Sequence, residues 1–292
     1  MTIHFLASLV DLTAVKIEDF RNSVKSNNEK VSKLNRYWVR QSVPEVIQDA
    51  DRLFDEEKYL EVYELLNRLK FDNNVDVQWR ICRALFKMSY DKSVSNVVRN
   101  GMIQEAYDLI STSVRLDEGN ANAHKWMAIV TDMKSGLEAT NARVKSYPTV
   151  KKHLLKAAEL NPQDVSVLYM LGKWCFDMTN FTWFQRKISS ILFSNPPTST
   201  YEEAYNYFLQ AEEIRPRFYL PNLYMLGCTS LHMQQYFRAR YYLNIAAHLP
   251  PRSEFERKCA ANAKTLSNEL QQFDVSKEAL FYGLTFANSN FD

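Results

Sequence analysis

Apolar residues recur every three or four positions along most of this chain, in segments of about 12–16 residues. The clearest stretch carries Gly227, Tyr236, Ala239, Leu243, Ala246 and Pro251, at offsets of 9, 12, 16, 19 and 24 from the glycine. That spacing predicts two helices joined by a short turn. Gly227 and Ala239 are small where the two helices must approach closely. Leu243 and Ala246 fill the groove toward a neighbouring pair, and Pro251 stops the second helix by denying it a donor.

The same signature returns along the sequence. Ala50, Tyr59, Val62, Leu66 and Leu69 repeat offsets of 9, 12, 16 and 19. Val77–Met88 pairs with Ile103–Arg115, and His124–Met133 with a segment marked by Leu154, Ala157 and Pro162. Leu171-Gly172 pairs with Ala204, Phe208, Ala211 and Pro216 across an insertion of about 20 residues. Phe255, Cys259, Ala263, Leu266 and Leu270 predict one further amphipathic helix over 253–272. The period is that of the tetratricopeptide (TPR) helix–turn–helix repeat. It predicts an all-α fold, a TPR-like α-solenoid of stacked antiparallel helix pairs with a C-terminal capping helix. The solenoid domain is read as 45–273. Before it, 1–44 is a basic, partly helical segment with short helices over 9–20 and 29–41, and 274–292 is a tail.

Composition narrows the function classes. Only 6 of 292 residues are glycine, and no two are spaced as G-x-G-x-x-G or a P-loop, which excludes both phosphate cradles. Cys82, Cys175, Cys228 and Cys259 are far apart and form no C-x-x-C pair, so free thiols are expected rather than disulfides or zinc. The five histidines form no metal-binding spacing, and no nucleophile–base–orienter set is visible. The expectation is a non-enzymatic protein without cofactor or metal. The apolar run Phe5–Val10 is too short to span a bilayer, and the chain reads as cytoplasmic with no transmembrane segment.

Three segments go beyond a generic repeat: His124-Lys125-Trp126, Trp174-Cys175-Phe176, and Pro196-Pro197-Thr198-Ser199-Thr200-Tyr201-Glu202-Glu203-Ala204. With the insertion Trp183-Phe184-Gln185-Arg186-Lys187, they resemble the regulator of microtubule dynamics family over roughly 45–272. That resemblance implies a TPR-like domain associated with microtubules, the spindle and its poles, acting in microtubule dynamics and chromosome segregation. Some relatives work at organelle contacts through a membrane anchor, and phospholipid binding or transfer is attributed to the same domain. The anchor has no counterpart in this sequence, so the phospholipid role is the alternative expectation.

The residues themselves suggest where partners would bind. Helix positions facing the concave side read Ile81/Leu85, Lys125/Ile129, Tyr169/Lys173 and Tyr224/Cys228. Lys125, Tyr169, Lys173, Phe176 and Tyr224 are therefore the groove candidates, suited to an amphipathic peptide or a lipid tail under an anionic head. Alternatively, Tyr169, Phe176 and Tyr224 merely close the core. Lys30, Lys33 and Arg36 lie in an N-terminal stretch of net +4 over 16–40, and Arg143, Lys145, Lys151, Lys152 and Lys156 form a second basic run uninterrupted by acid. Basic faces attract polyanions such as acidic tubulin surfaces. Residues 45–64 are instead strongly acidic, net −6. Nucleic acid fits poorly, because the overall balance is only +2 and no recognition module is present. The inserted aromatic–basic segment, Trp183, Phe184, Arg186 and Lys187, either plugs one end of the solenoid or offers a partner surface; the plug is the expectation. Thr200-x-x-Glu203, or Ser199-x-x-Glu202, reads as a capping box.

Overall fold

A computed structural model describes residues 42–69, 73–138 and 140–272, and among these every regular element is helical. The expected helices at 9–20 and 29–41, the basic residues Lys30, Lys33 and Arg36, and the tail lie outside the described residues. The described residues belong to two compact units that divide between Leu160 and Asn161.

The first unit contains α1 (Val43–Asp55), α2 (Tyr59–Asn67), α3 (Val75–Ser89), α4 (Asn96–Leu116), α5 (Ala121–Leu137) and α6 (Thr140–Leu160). Each packs on its successor, as the paired pattern predicts. Local chemistry sets the helix starts. Ser42 and Glu45 form a capping box, with Pro44 in the first turn. Asn74, Ser95 and Asn120 each accept a backbone amide in the turn that follows. Ala50, Val62, Leu66, Ile81, Ile110, Val144 and Leu154 are fully buried, so the periodic positions do form the core. One bond links polar groups inside it: the Ser113 hydroxyl donates to Gln78 Oε1 at 2.8 Å.

Helix α6 begins well before the segment marked by Leu154 and Ala157, and runs through Pro148. A proline there withdraws one i→i−4 bond, but Val144, Tyr147 and Val150 are buried on either side and hold the turn to α5.

The second unit contains α7 (Val165–Thr179), α8 (Trp183–Leu192), α9 (Tyr201–Ile214), α10 (Leu220–His232), α11 (Tyr236–His248) and α12 (Glu254–Glu269), ending in a short 3₁₀ turn over Leu270–Gln272. Here α7 pairs with α9 across the α8 insertion, α10 pairs with α11, and α12 packs on both of these. The close contacts inferred from the glycines are present. A Cβ at Gly172 would lie 2.7 Å from the Phe208 ring, and one at Gly227 would lie 2.5 Å from Leu243 Cγ. Thr200 caps α9 by accepting the Glu203 amide at 3.1 Å, while the Glu203 carboxylate accepts from the Ser199 hydroxyl, so both hydroxyls of the predicted motif serve the helix start.

The repeat register is also visible in the turns. Glu57 lies seven residues after Ala50, Gln234 seven after Gly227, and both adopt left-handed backbone, at φ 60 in each case. The next amide in each repeat donates back across the turn, Lys58 to Leu53 and Gln235 to Ser230, both at 2.9 Å. These are equivalent C-terminal caps built without glycine.

Candidate functional site

The groove candidates of the second unit do come together. Tyr169, Lys173 and Phe176 share one face of α7 at i, i+4 and i+7. That face meets α10. The Tyr169 ring lies 5.1 Å from Tyr219, just before α10, and Phe176 lies 5.4 Å from His232 at its end. The layer is closed rather than open. Tyr169 is 1% exposed and also packs on Phe208, so it belongs to the core rather than to a groove wall. Lys173 is buried and donates to Asp177 Oδ1 at 2.6 Å, an i,i+4 pair that neutralises it within the helix. Phe176 and Tyr224 are half-buried, and burial pushes the Tyr224 phenol up, reinforced by Cys228 beside it. Burial likewise raises the Cys228 thiol to about 11 and Cys259 to about 12, keeping both protonated.

In the first unit, Lys125 is half-buried, whereas its groove partners Ile81, Leu85 and Ile129 are all buried. An open trough of about 490 Å³ lies elsewhere on the unit, against α3 and α4. Its lining is mostly apolar, Leu109 included, with polar and acidic groups from Gln78, Gln104, Glu105, Asp108 and Thr112 set into it. Tyr63 reaches over from α2 to donate to Glu105 at 3.1 Å, and burial with the Glu105 charge raises its phenol to about 12.

The basic run of α6 does not present all five charges. Arg143 turns inward and lies 3.8 Å from the buried Asp132 of α5. Lys156 pairs with Glu159 at 2.9 Å. Lys151 is half-buried on another side of the helix, while Lys145 and Lys152 are exposed. Lys145, Lys152 and Lys156 stand at i, i+7 and i+11, one stripe along the helix. The acidic stretch over 45–64 is also partly compensated. Asp51 accepts from Arg80 at 2.8 Å and from Arg83 at 2.7 Å; burial works against its ionisation, but the two guanidiniums outweigh that and hold the carboxyl below its usual range.

The insertion departs most from expectation. Trp183 is 72% exposed and Phe184 58%, so neither plugs anything. Arg186 and Lys187 are exposed as well. Missed by sequence reading were Asp177, the acid for Lys173, and His232, which stacks on Tyr201 at 4.5 Å. The i,i+4 spacing of Lys173 and Asp177 could have revealed the first; the second needs the α9–α10 contact.

Among the described residues no group of three or more metal-ligating side chains assembles, and no described helix is long and apolar enough to cross a membrane. Paired helices with small-residue contacts and repeated turns define a TPR-like repeat protein. A solved thermophilic TPR protein of Thermus thermophilus superposes with a TM-score of 0.51 over 77% of this chain and all of that one, at 13% identity. The family model for regulator of microtubule dynamics proteins 1-3 matches residues 46–271. Regulator of microtubule dynamics protein 1 of Bos taurus is 32% identical over 77% of this chain and 71% of its own length. The Mus musculus protein of that name is 33% identical, over 77% and 73%. This chain belongs to the regulator of microtubule dynamics family.

Proposed function

We propose that the protein is a non-enzymatic adaptor that binds microtubules or spindle components and influences microtubule dynamics and chromosome segregation. Its place is the cytoplasmic cytoskeleton, at microtubules, the spindle and spindle poles. Family membership supports the microtubule-related role. The observation that carries the mode of binding is the exposed lysine pair on α6, Lys145 and Lys152, within the family-matched span. Seven residues of helix set them about 10 Å apart along its axis, a spacing suited to an extended acidic segment. Lys156, lower on the same stripe, is available once it exchanges Glu159 for a partner carboxylate. The test is co-pelleting with microtubules. Lys145→Glu with Lys152→Glu should weaken binding several-fold while helicity is unchanged, since exposed charges contribute little to folding. Undiminished pelleting of a well-folded double variant would remove α6 as the contact.

A peptide partner is a second contact favoured by the trough on α3 and α4, whose Glu105 and Asp108 suit a cationic segment. The lipid-carrying alternative has less support, because Ile81, Leu85, Ile129 and Tyr169 are taken up by the cores of their own units.

A further inference from the structure

Helix α8 carries two adjoining apolar arcs, one buried and one exposed. With about 100° between successive residues, Ile188, Ser189 and Leu192 fall on one side. Ile188 and Ser189 are buried there. Trp183, Phe184, Lys187 and Ile191 occupy the neighbouring arc, where Trp183 is 72%, Phe184 58% and Ile191 75% exposed. Packing therefore uses only the inner arc. Thr182 and Gln185 fix the start of the helix by a capping box, and Arg186 donates to the Phe181 and Thr179 carbonyls, so the helix is held without its outer face.

That outer face is a convex ridge of on the order of 400 Å² of apolar surface, the size of the largest patch on a typical monomer, which is often functional. Ridges insert; grooves receive. Between Asp177 and Glu202 the chain has no acidic residue, and Arg186 and Lys187 are its only charges. The Lys187 ammonium lies 5.1 Å from the Trp183 ring centroid. A lysine inside an apolar arc can lay its stem along the hydrocarbon and raise its head to an anionic layer. Exposed aromatics at one end, an aliphatic at the other and a snorkelling lysine between them suit a helix lying flat at a lipid–water boundary.

We propose that α8 is a membrane-surface contact that lies in the headgroup layer of an anionic phospholipid bilayer. Trp183, Phe184 and Ile191 enter the acyl boundary, and Lys187 faces lipid phosphates. This goes beyond the microtubule reading and does not depend on it.

The test is co-flotation of the full chain with phosphatidylcholine vesicles, with and without about one-third phosphatidylserine. The parent should float preferentially with the anionic vesicles. Serine at all three of Trp183, Phe184 and Ile191 should lower the floated fraction about tenfold or more, while circular dichroism and microtubule co-pelleting stay at parental levels. Lys187→Glu, which leaves Arg186 and its helix-holding bonds in place, should remove most of the preference for anionic lipid. As a readout on a conservative variant, brominated acyl chains should quench a component of parental fluorescence that Trp183→Phe lacks. A parent that floats with neither vesicle, a well-folded triple variant that floats as well as the parent, or equal quenching in parent and Trp183→Phe would each overturn the proposal. The first of these results would point to a groove on another protein.

Discussion

The tightest contact in the second unit gives a prediction whose sign depends on its neighbour. In Gly227→Ala the new Cβ would lie 2.5 Å from Leu243 Cγ, 2.7 Å from Cδ2 and 3.3 Å from the Leu243 backbone nitrogen. Carbon atoms settle at about 3.5–4.0 Å, so the overlap is near 1 Å and the backbone behind Leu243 limits retreat. Leu243 is fully buried, in the kind of close-packed interior that leaves little room to turn. Overpacking of this kind falls in the upper part of the usual 1–3 kcal/mol range, roughly 2–3. Replacing a helical glycine by alanine returns about 1 kcal/mol in propensity. The net expectation is a loss of about 1–2 kcal/mol. Leu243→Ala alone should cost about 2–5 kcal/mol through the cavity it leaves. With the leucine gone the clash goes too, so adding Gly227→Ala to Leu243→Ala should now stabilise by about 1 kcal/mol. Urea unfolding followed by circular dichroism across the four proteins measures this cycle, with an expected coupling of about 2–3 kcal/mol. The same loss from Gly227→Ala in both backgrounds would refute the close-contact argument.

Three further outcomes follow from the turns and the buried titratable groups. Gln234→Gly should stabilise by up to about 1 kcal/mol, because it relieves a left-handed residue at more gain than its added chain entropy costs; a loss measured by urea unfolding would contradict the turn geometry. His153 is held down to about 4 by burial, His124 and Lys152, so its stabilisation is complete above its unfolded value of 6.5 and is lost as pH falls toward 4. Its ring nitrogen Nδ1 faces that of His124 at 2.9 Å, and His153→Gln should flatten this acid limb in unfolding midpoints taken between those values. Glu212 behaves oppositely: burial raises its carboxyl above the ordinary 4.5 against the opposing Arg217 amide and Asn222 side chain. Its contribution is therefore present below 4.5 and lost as pH rises through the folded value, so Glu212→Gln should gain on the parent toward neutral pH. A variant-minus-parent difference that stays constant with pH would contradict either assignment.

Much of this architecture was legible because the repeat writes itself in small residues. Gly172 and Gly227 stand opposite Phe208 and Leu243, contacts that only a missing side chain permits, and their spacing fixed the helix pairs on both sides of the insertion. The start of α6 was harder to see, since Pro148 reads as a breaker and only the burial of Val144 and Tyr147 shows what carries the helix through it. The site was less legible than the fold. Sequence shows Arg143 in a basic run, but the acid that takes it, Asp132, comes from the neighbouring helix. Charge counting likewise overstated the acidity of 45–64, because Arg80 and Arg83 reach Asp51 from α3. Aromatic side chains posed the same problem in two directions. Tyr169 faces another ring layer and is lost to the core, whereas Trp183, which looked like a plug, stands in solvent. Periodicity tells which face of a helix is apolar; which neighbour covers that face is tertiary information.

The central claim is electrostatic engagement of microtubules, and co-pelleting of the unmodified chain over a salt series tests it most directly. Binding through exposed lysines should be strong at low ionic strength and fall steeply as salt approaches the physiological range, where the screening length shrinks to about 8 Å. The fall should be shallower for the Lys145→Glu, Lys152→Glu variant. Pelleting that does not change with salt, or no pelleting at low salt, would contradict the account.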